Sequence, residues 1–177
     1  MKARRNRLRW MGLSAMMAAI LCVLSPITFP MGVIPITLSV FALFLVAALT
    51  QPKVALTATL VYLFVGAVGL PVFSSFTGGA FAFVSPSGGF LWGYLPAVFV
   101  VSVCAQKGKL ALLLLGFLAG LVLLYLFGML GFCLLTGAGL FEAFLTAVLP
   151  FVLPDCIKLL LALVVVGILK KRFSLMV

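Results

Sequence analysis

The sequence contains no histidine and only two acidic residues, Glu142 and Asp155. Histidine is the commonest metal ligand and the usual general base at neutral pH, so its absence excludes a Ser–His intramembrane protease. The four cysteines are far apart, each within an apolar stretch and without a CxxC pair, as is typical of small buried hydrophobic residues. We therefore expect no metal site, no catalytic residues and no cofactor.

Two other functions lack the sequence features that they need. No Gly-x-x-x-x-Gly-Lys-Ser/Thr phosphate loop is present, so any ATP hydrolysis must occur in a partner. The formal charge is +10, with 12 Lys and Arg, but these residues lie at the edges of apolar runs rather than on an exposed, polar face. We expect no binding to nucleic acid.

Apolar residues dominate instead: they make up 66% of the 177 residues, and the mean hydropathy is +1.44. A soluble domain is closer to half apolar, whereas lipid tolerates this composition. We predict an all-α integral membrane protein with a single polytopic domain over residues 1–177. Its six predicted helices cover residues 10–24, 36–49, 54–70, 90–105, 110–135 and 154–169.

The basic residues orient this bundle of six transmembrane helices. They precede helix 1, follow helix 6 and occupy connections 2–3 and 4–5, whereas connections 1–2, 3–4 and 5–6 contain no Lys or Arg. The positive-inside rule then places both the N- and the C-terminus of this multi-pass protein in the cytoplasm. The first helix is expected to stay uncleaved, because no small-x-small site closes it.

The 3–4 connection, residues 71–89, is too apolar for water and too rich in Gly and Ser for a helix. Non-helical backbone at membrane depth is tolerated where it is buried or lines a cavity. We expect this outer loop to fold back into the mouth of the bundle.

Three charged residues lie away from the predicted cytoplasmic ends. Glu142 is expected to be a solvated acid of the 5–6 connection. Asp155 and Lys158 share one face of helix 6, three residues apart, with Pro154 as the predicted first helical residue. They are either a structural ion pair or a donor–acceptor pair for a polar ligand.

Small residues four apart occur on helix 1 (Ala15 and Ala19) and on helix 5 (Gly116 and Gly120). Such pairs serve either close packing within the bundle or docking of another membrane subunit.

The chain resembles the biotin-specific S components of energy-coupling factor (ECF) transporters, the BioY family. The family's Gly-x-x-Gly-Leu-Pro-Val-Phe block matches residues 66–73, and its Gly-Pro-Thr-x-Gly-Tyr-Leu-x-Gly block falls on residues 85–93. Its Asp-x-x-Lys motif falls on Asp155 and Lys158. Further family motifs fall on the residues Ala15, Ala19, Pro35, Thr37, Leu38, Ser39, Tyr125 and Gly128. Ser39 and Phe90 replace a glutamine and a tyrosine of the family pattern.

The resemblance implies a vitamin uptake transporter subunit of the bacterial inner (plasma) membrane that captures biotin outside and delivers it inward. Outer loops 1–2 and 3–4 would cap the ligand cavity, and aromatic walls would come from Phe73, Phe76, Phe81, Phe83, Phe90 and Trp92. The residues expected to bind biotin are Phe73, Ser85, Ser87, Gly88, Gly89, Phe90, Trp92, Tyr125, Asp155 and Lys158. Ala15 and Ala19 would dock a transmembrane coupling protein that is driven by two cytoplasmic ATPase subunits, and lipid would surround the bundle.

Three alternatives remain open at this point. The scaffold could bind another small vitamin or heterocycle. A membrane enzyme could use Asp155 and Glu142 as a carboxylate pair. A purely structural subunit would bind no ligand.

Overall fold

The computed structural model describes residues 2–29 and 34–174, and the side chains of residues 8–29 and 34–171. This part of the chain forms seven helices and one short antiparallel ribbon. In chain order they are α1 (Lys2–Leu24), β1 (Thr28–Phe29), β2 (Ile36–Thr37), α2 (Ser39–Leu49), α3 (Pro52–Ala67), α4 (Gly88–Ala105), α5 (Leu110–Thr136), α6 (Leu140–Ala147) and α7 (Leu149–Ser174). Pro30, in the proline-rich 1–2 connection, lies outside the described residues.

All six predicted helices are present, but several ends are shifted. Helix α1 begins at Lys2 rather than at residue 10, because its Lys and Arg residues are good helix formers. Helix α2 begins three residues late, since Ile36 and Thr37 pair with Phe29 and Thr28 in the ribbon. Helix α3 ends at Ala67, and Gly69 follows with a φ of 114° that favours glycine.

The prediction that Pro154 starts the last helix is wrong. Helix α7 begins at Leu149, so Pro150 occupies its first turn and Pro154 lies inside it. A proline in the first turn loses no helical hydrogen bond. The missing N–H of Pro154 removes the bond to the carbonyl of Pro150. Asp155 and Lys158 therefore lie in the second and third turns, and not at the helix terminus.

The 5–6 connection, which we expect from the sequence to be a loop, contains a short helix. Glu142 is exposed in the first turn of α6, where a negative charge is favourable near the helix N-terminus. Ala143 and Ala147, which lie one turn apart on the same face of α6, are fully buried. Glu142 is thus solvent-exposed, as expected, but it belongs to a helix.

By length and composition, three helices of the described residues can cross a membrane: Gly88–Ala105, Leu110–Thr136 and Leu149–Lys171. Three shorter apolar helices accompany them: Leu8–Leu24, Ser39–Leu49 and Pro52–Ala67.

Glycines allow close packing between α5 and its neighbours. A Cβ at Gly116 would collide with Cys104 of α4, and one at Gly120 would collide with Val101 of the same helix. These two glycines therefore pack inside the bundle and do not form a docking face. Ala15 and Ala19, in contrast, are exposed on the outside of α1.

Candidate functional site

A cavity of about 460 Å³ opens between β2, α4, α7 and the 3–4 connection. Its size lies within the range of about 300–1,000 Å³ that is typical of small-molecule sites. Six of the ten predicted biotin-binding residues line it: Phe73, Ser85, Ser87, Phe90, Asp155 and Lys158. The structure thus brings together residues that are up to 85 positions apart in the sequence (158 minus 73).

The 1–2 and 3–4 connections both contribute to this cavity. Thr37 of β2 lines it from one side, and Ser75 of the 3–4 connection lines it from the other. The hydroxyls of Thr28 and Ser75 form a hydrogen bond of 3.0 Å that joins the two connections. The 3–4 connection is not a loop throughout, because it contains two short 3₁₀ turns, at Ser74–Phe76 and Ala80–Val84.

Asp155 and Lys158 form an ion pair in the wall of the cavity. The Nζ atom of Lys158 donates to Oδ1 of Asp155 at 2.7 Å, and the residues are 7% and 2% exposed, respectively. The hydroxyl of Tyr125 donates to the other carboxylate oxygen, Oδ2, at 3.0 Å. Helix periodicity explains the pair, since residues three apart on α7 lie on the same face. Tyr125 does not line the cavity but fixes the carboxylate from behind.

This arrangement leaves hydrogen-bonding capacity for a ligand. An ammonium group has three donors, of which Lys158 uses one within the described structure. A carboxylate offers about four acceptor positions, of which two are taken at Asp155. The site can therefore donate to a ligand oxygen and accept from a ligand N–H at the same time.

Aromatic residues form the apolar part of the wall. Phe73 is buried, with its ring 5.5 Å from that of Tyr62 and its edge over Gly66. Phe90 lies over Gly128 and packs against Phe151 of α7, at a ring distance of 6.3 Å.

Three aromatic residues expected in the wall do not line the cavity. Trp92 is 56% exposed and contacts the ring of Phe83 at 5.4 Å, so it faces outward from α4. Phe83 in turn packs behind Phe73 at 5.7 Å. Phe76 is exposed, whereas Phe81 lines the cavity as expected.

The start of α4 places two serines at the cavity. The hydroxyls of Ser85 and Ser87 lie 3.1 Å apart, and that of Ser85 donates to the carbonyl of Ala82 at 2.7 Å. Gly88 and Gly89 are buried next to them without lining the cavity. A Cβ at Gly88 would collide with the backbone of Phe83, and one at Gly89 with the backbone of α5. These glycines shape the site through close backbone packing.

Two tyrosines of the cavity wall are not among the residues that the sequence predicts to bind the ligand. Tyr62 and Tyr94 are buried and stacked, with ring centroids 6.4 Å apart. The sequence positions of these tyrosines on α3 and α4 do not indicate that they line a cavity, because only the packing of the two helices brings them there.

The carboxylate pair of the enzyme alternative is not formed. Glu142 is exposed on α6, while Asp155 is buried and bound to Lys158 and Tyr125. Among the described residues, no cluster of three metal-ligating side chains is found.

Comparison with known proteins identifies relatives over most of the chain. The chain is 38% identical to the biotin transporter BioY of Thermotoga maritima over 148 residues, which cover 82% of this chain and 86% of that protein. It is 33% identical to a probable biotin transporter BioY of Pyrococcus horikoshii, over 86% of this chain and 91% of that protein.

The fold also matches a solved structure. The crystal structure of the S component for biotin from an ECF-type ABC transporter superposes with a TM-score of 0.85 and 26% identity, covering 94% of this chain and 93% of that one. The model of the BioY family matches residues 1–175. These matches confirm the predicted family. Because it is a family of transporter components, they also confirm the prediction that the chain is not an enzyme. The chain belongs to the BioY family.

Proposed function

We propose that the chain is the biotin-binding S component of an ECF-type transporter, and that it binds biotin in the cavity between the outer connections and α7. The observation that carries this proposal is the buried, incompletely saturated pair of Asp155 and Lys158 in an aromatic cavity of about 460 Å³. The names of the relatives and of the matched structure support the choice of biotin over another vitamin.

The chemistry of biotin suits this cavity. Its fused rings and valeryl chain are apolar and fit the aromatic wall of Phe73 and Phe90. Its ureido group has two N–H donors and one carbonyl, and its tail ends in a carboxylate. Asp155 accepts from N–H groups, and Lys158 donates to an oxygen.

The same proposal assigns the topology and the partners. Six apolar helices cross the inner membrane, both termini are cytoplasmic, and the cavity faces outward, because the basic residues concentrate at the opposite end. The exposed faces of Ala15 and Ala19 on α1 allow close approach of another helix. We assign this face to a transmembrane coupling protein, which two cytoplasmic ATPase subunits would drive.

The experiment is calorimetric titration of the detergent-purified chain with biotin, followed by displacement with other vitamins. We expect saturable binding at micromolar biotin or below and no displacement by an equal concentration of another vitamin. Displacement of biotin by a different vitamin would favour the alternative of a sibling S component. Absence of both heat and thermal stabilisation would refute biotin binding.

A further inference from the structure

A second cavity, of about 170 Å³, lies between the ends of α4 and α7 and the start of α5. Its walls are apolar and include Leu113, Leu163 and Val166, and two exposed lysines, Lys109 and Lys170, also line it. This second cavity is remote from the cavity that contains Asp155 and Lys158. Lys170 follows Asp155 by 15 residues along α7, which corresponds to roughly 22 Å at the rise of an α-helix.

One of the two lysines is held across the cavity. The Nζ atom of Lys170, on α7, donates to the carbonyl of Ala105 at the end of α4, at 3.3 Å. Since an ammonium group has three donors, two remain for a ligand. Gly167 also lines the cavity, and a Cβ there would meet no atom within 4 Å, so the groove is open beside Lys170.

No acidic side chain accompanies the lysines at this end of the described residues. Lys107 and Lys171 are exposed next to the two lining lysines. The only acidic side chains of the sequence, Glu142 and Asp155, lie on α6 and in the early turns of α7, at the other end of that helix. Neither acidic side chain can therefore pair with the lysines at this end of the bundle.

We propose that this second cavity binds an anionic phospholipid. Lys109 and Lys170 would hold the phosphate of the headgroup, and the apolar walls would contact the first part of an acyl chain. The charge is complementary to an acidic headgroup. The apolar walls distinguish a lipid from a free phosphate ion, which would use the lysines alone. Exposed apolar residues on the flanks, such as Leu114 and Ile168, would contact the rest of the lipid.

The test is native mass spectrometry of the detergent-purified full chain with phosphatidylglycerol and, separately, phosphatidylcholine. We expect tighter binding of phosphatidylglycerol, and at least about a tenfold loss in the variant Lys109→Gln/Lys170→Gln, the effect of losing one charge-assisted bond or more. The matched control is Arg9→Gln/Lys53→Gln, which changes the net charge equally at exposed residues that do not line the cavity. It should lose less than about threefold, because unpaired surface charges contribute little.

A second variant tests the apolar part of the groove without altering charge. Gly167→Leu should fill the open space and weaken phosphatidylglycerol binding by a similar factor, while biotin binding stays unchanged as a check of folding. Equal binding of the two lipids, an equal loss in the control, or displacement by millimolar inorganic phosphate would overturn the proposal. Binding of neither lipid would also overturn the proposal, and an acidic protein surface would then be the partner to test.

Discussion

Replacing both members of the buried ion pair separates a structural role from ligand binding. Removing Asp155 alone leaves the ammonium of Lys158 buried without a partner, which costs about 3–5 kcal/mol of unfolding free energy. Replacing both by apolar residues of similar size removes the attraction together with the desolvation penalty, and such exchanges are often neutral or stabilising. We therefore expect Asp155→Leu/Lys158→Met to fold with a stability within about 2 kcal/mol of the parent, the main cost being the hydroxyl of Tyr125, which loses its acceptor.

The same double variant should lose biotin. Each of the two groups offers the ligand a charge-assisted hydrogen bond of at least about 1.5 kcal/mol, so the two together correspond to a loss of at least about 100-fold in affinity. Chemical unfolding in detergent measures the stability, and calorimetric titration measures the affinity. A stable double variant that binds biotin as tightly as the parent would refute this reasoning and return the pair to a structural role. A double variant as unstable as Asp155→Ala would show that the pair itself holds the bundle together.

Three further perturbations have expected outcomes. Tyr125→Phe removes the hydrogen bond to the buried carboxylate and should weaken biotin binding by about 0.5–1.5 kcal/mol, measured by titration. Gly66→Ala places a methyl group where the ring of Phe73 lies, so we expect a loss of about 1–3 kcal/mol of unfolding free energy and weaker biotin binding. Thermal unfolding with and without biotin measures both effects. Ala15→Leu/Ala19→Leu should leave biotin binding unchanged but abolish copurification with the coupling subunit and biotin uptake by cells.

Matched controls exist for the last two changes. Gly139→Ala adds a Cβ that meets no atom within 4 Å, so it should alter neither stability nor binding. Ala119→Leu enlarges an exposed residue on α5 and should leave uptake intact. If Ala119→Leu lowered uptake as much as the α1 variant, bulk on the lipid-facing surface would explain both. Unchanged stability and affinity in Gly66→Ala would show that Phe73 can move without cost.

Sequence patterns predicted the helical membrane fold because the apolar runs and the positions of the basic residues are local signals. They failed where neighbouring structure decides the outcome. Pro154 has the features of a helix start, but Pro150 four residues earlier is equally suited to it, and the helix begins at Leu149. Helix α6 is eight residues long, which is too short to stand out from an apolar connection.

The candidate site shows the same contrast between local sequence signals and outcomes that depend on neighbouring structure. The i, i+3 spacing was sufficient to predict that Asp155 and Lys158 face the same way, and the structure places them in one ion pair. The orientation of Trp92 depends on the rotation of α4 about its axis, which a strongly apolar helix does not reveal. Tyr94, two residues further along α4, faces the cavity instead.

The crystal structure of this chain with biotin tests the central claim most directly. We predict biotin in the cavity of about 460 Å³, with one of its polar atoms within about 3.2 Å of the Nζ atom of Lys158. Biotin bound elsewhere, or bound in this cavity without any contact to Lys158 or Asp155, would contradict the account.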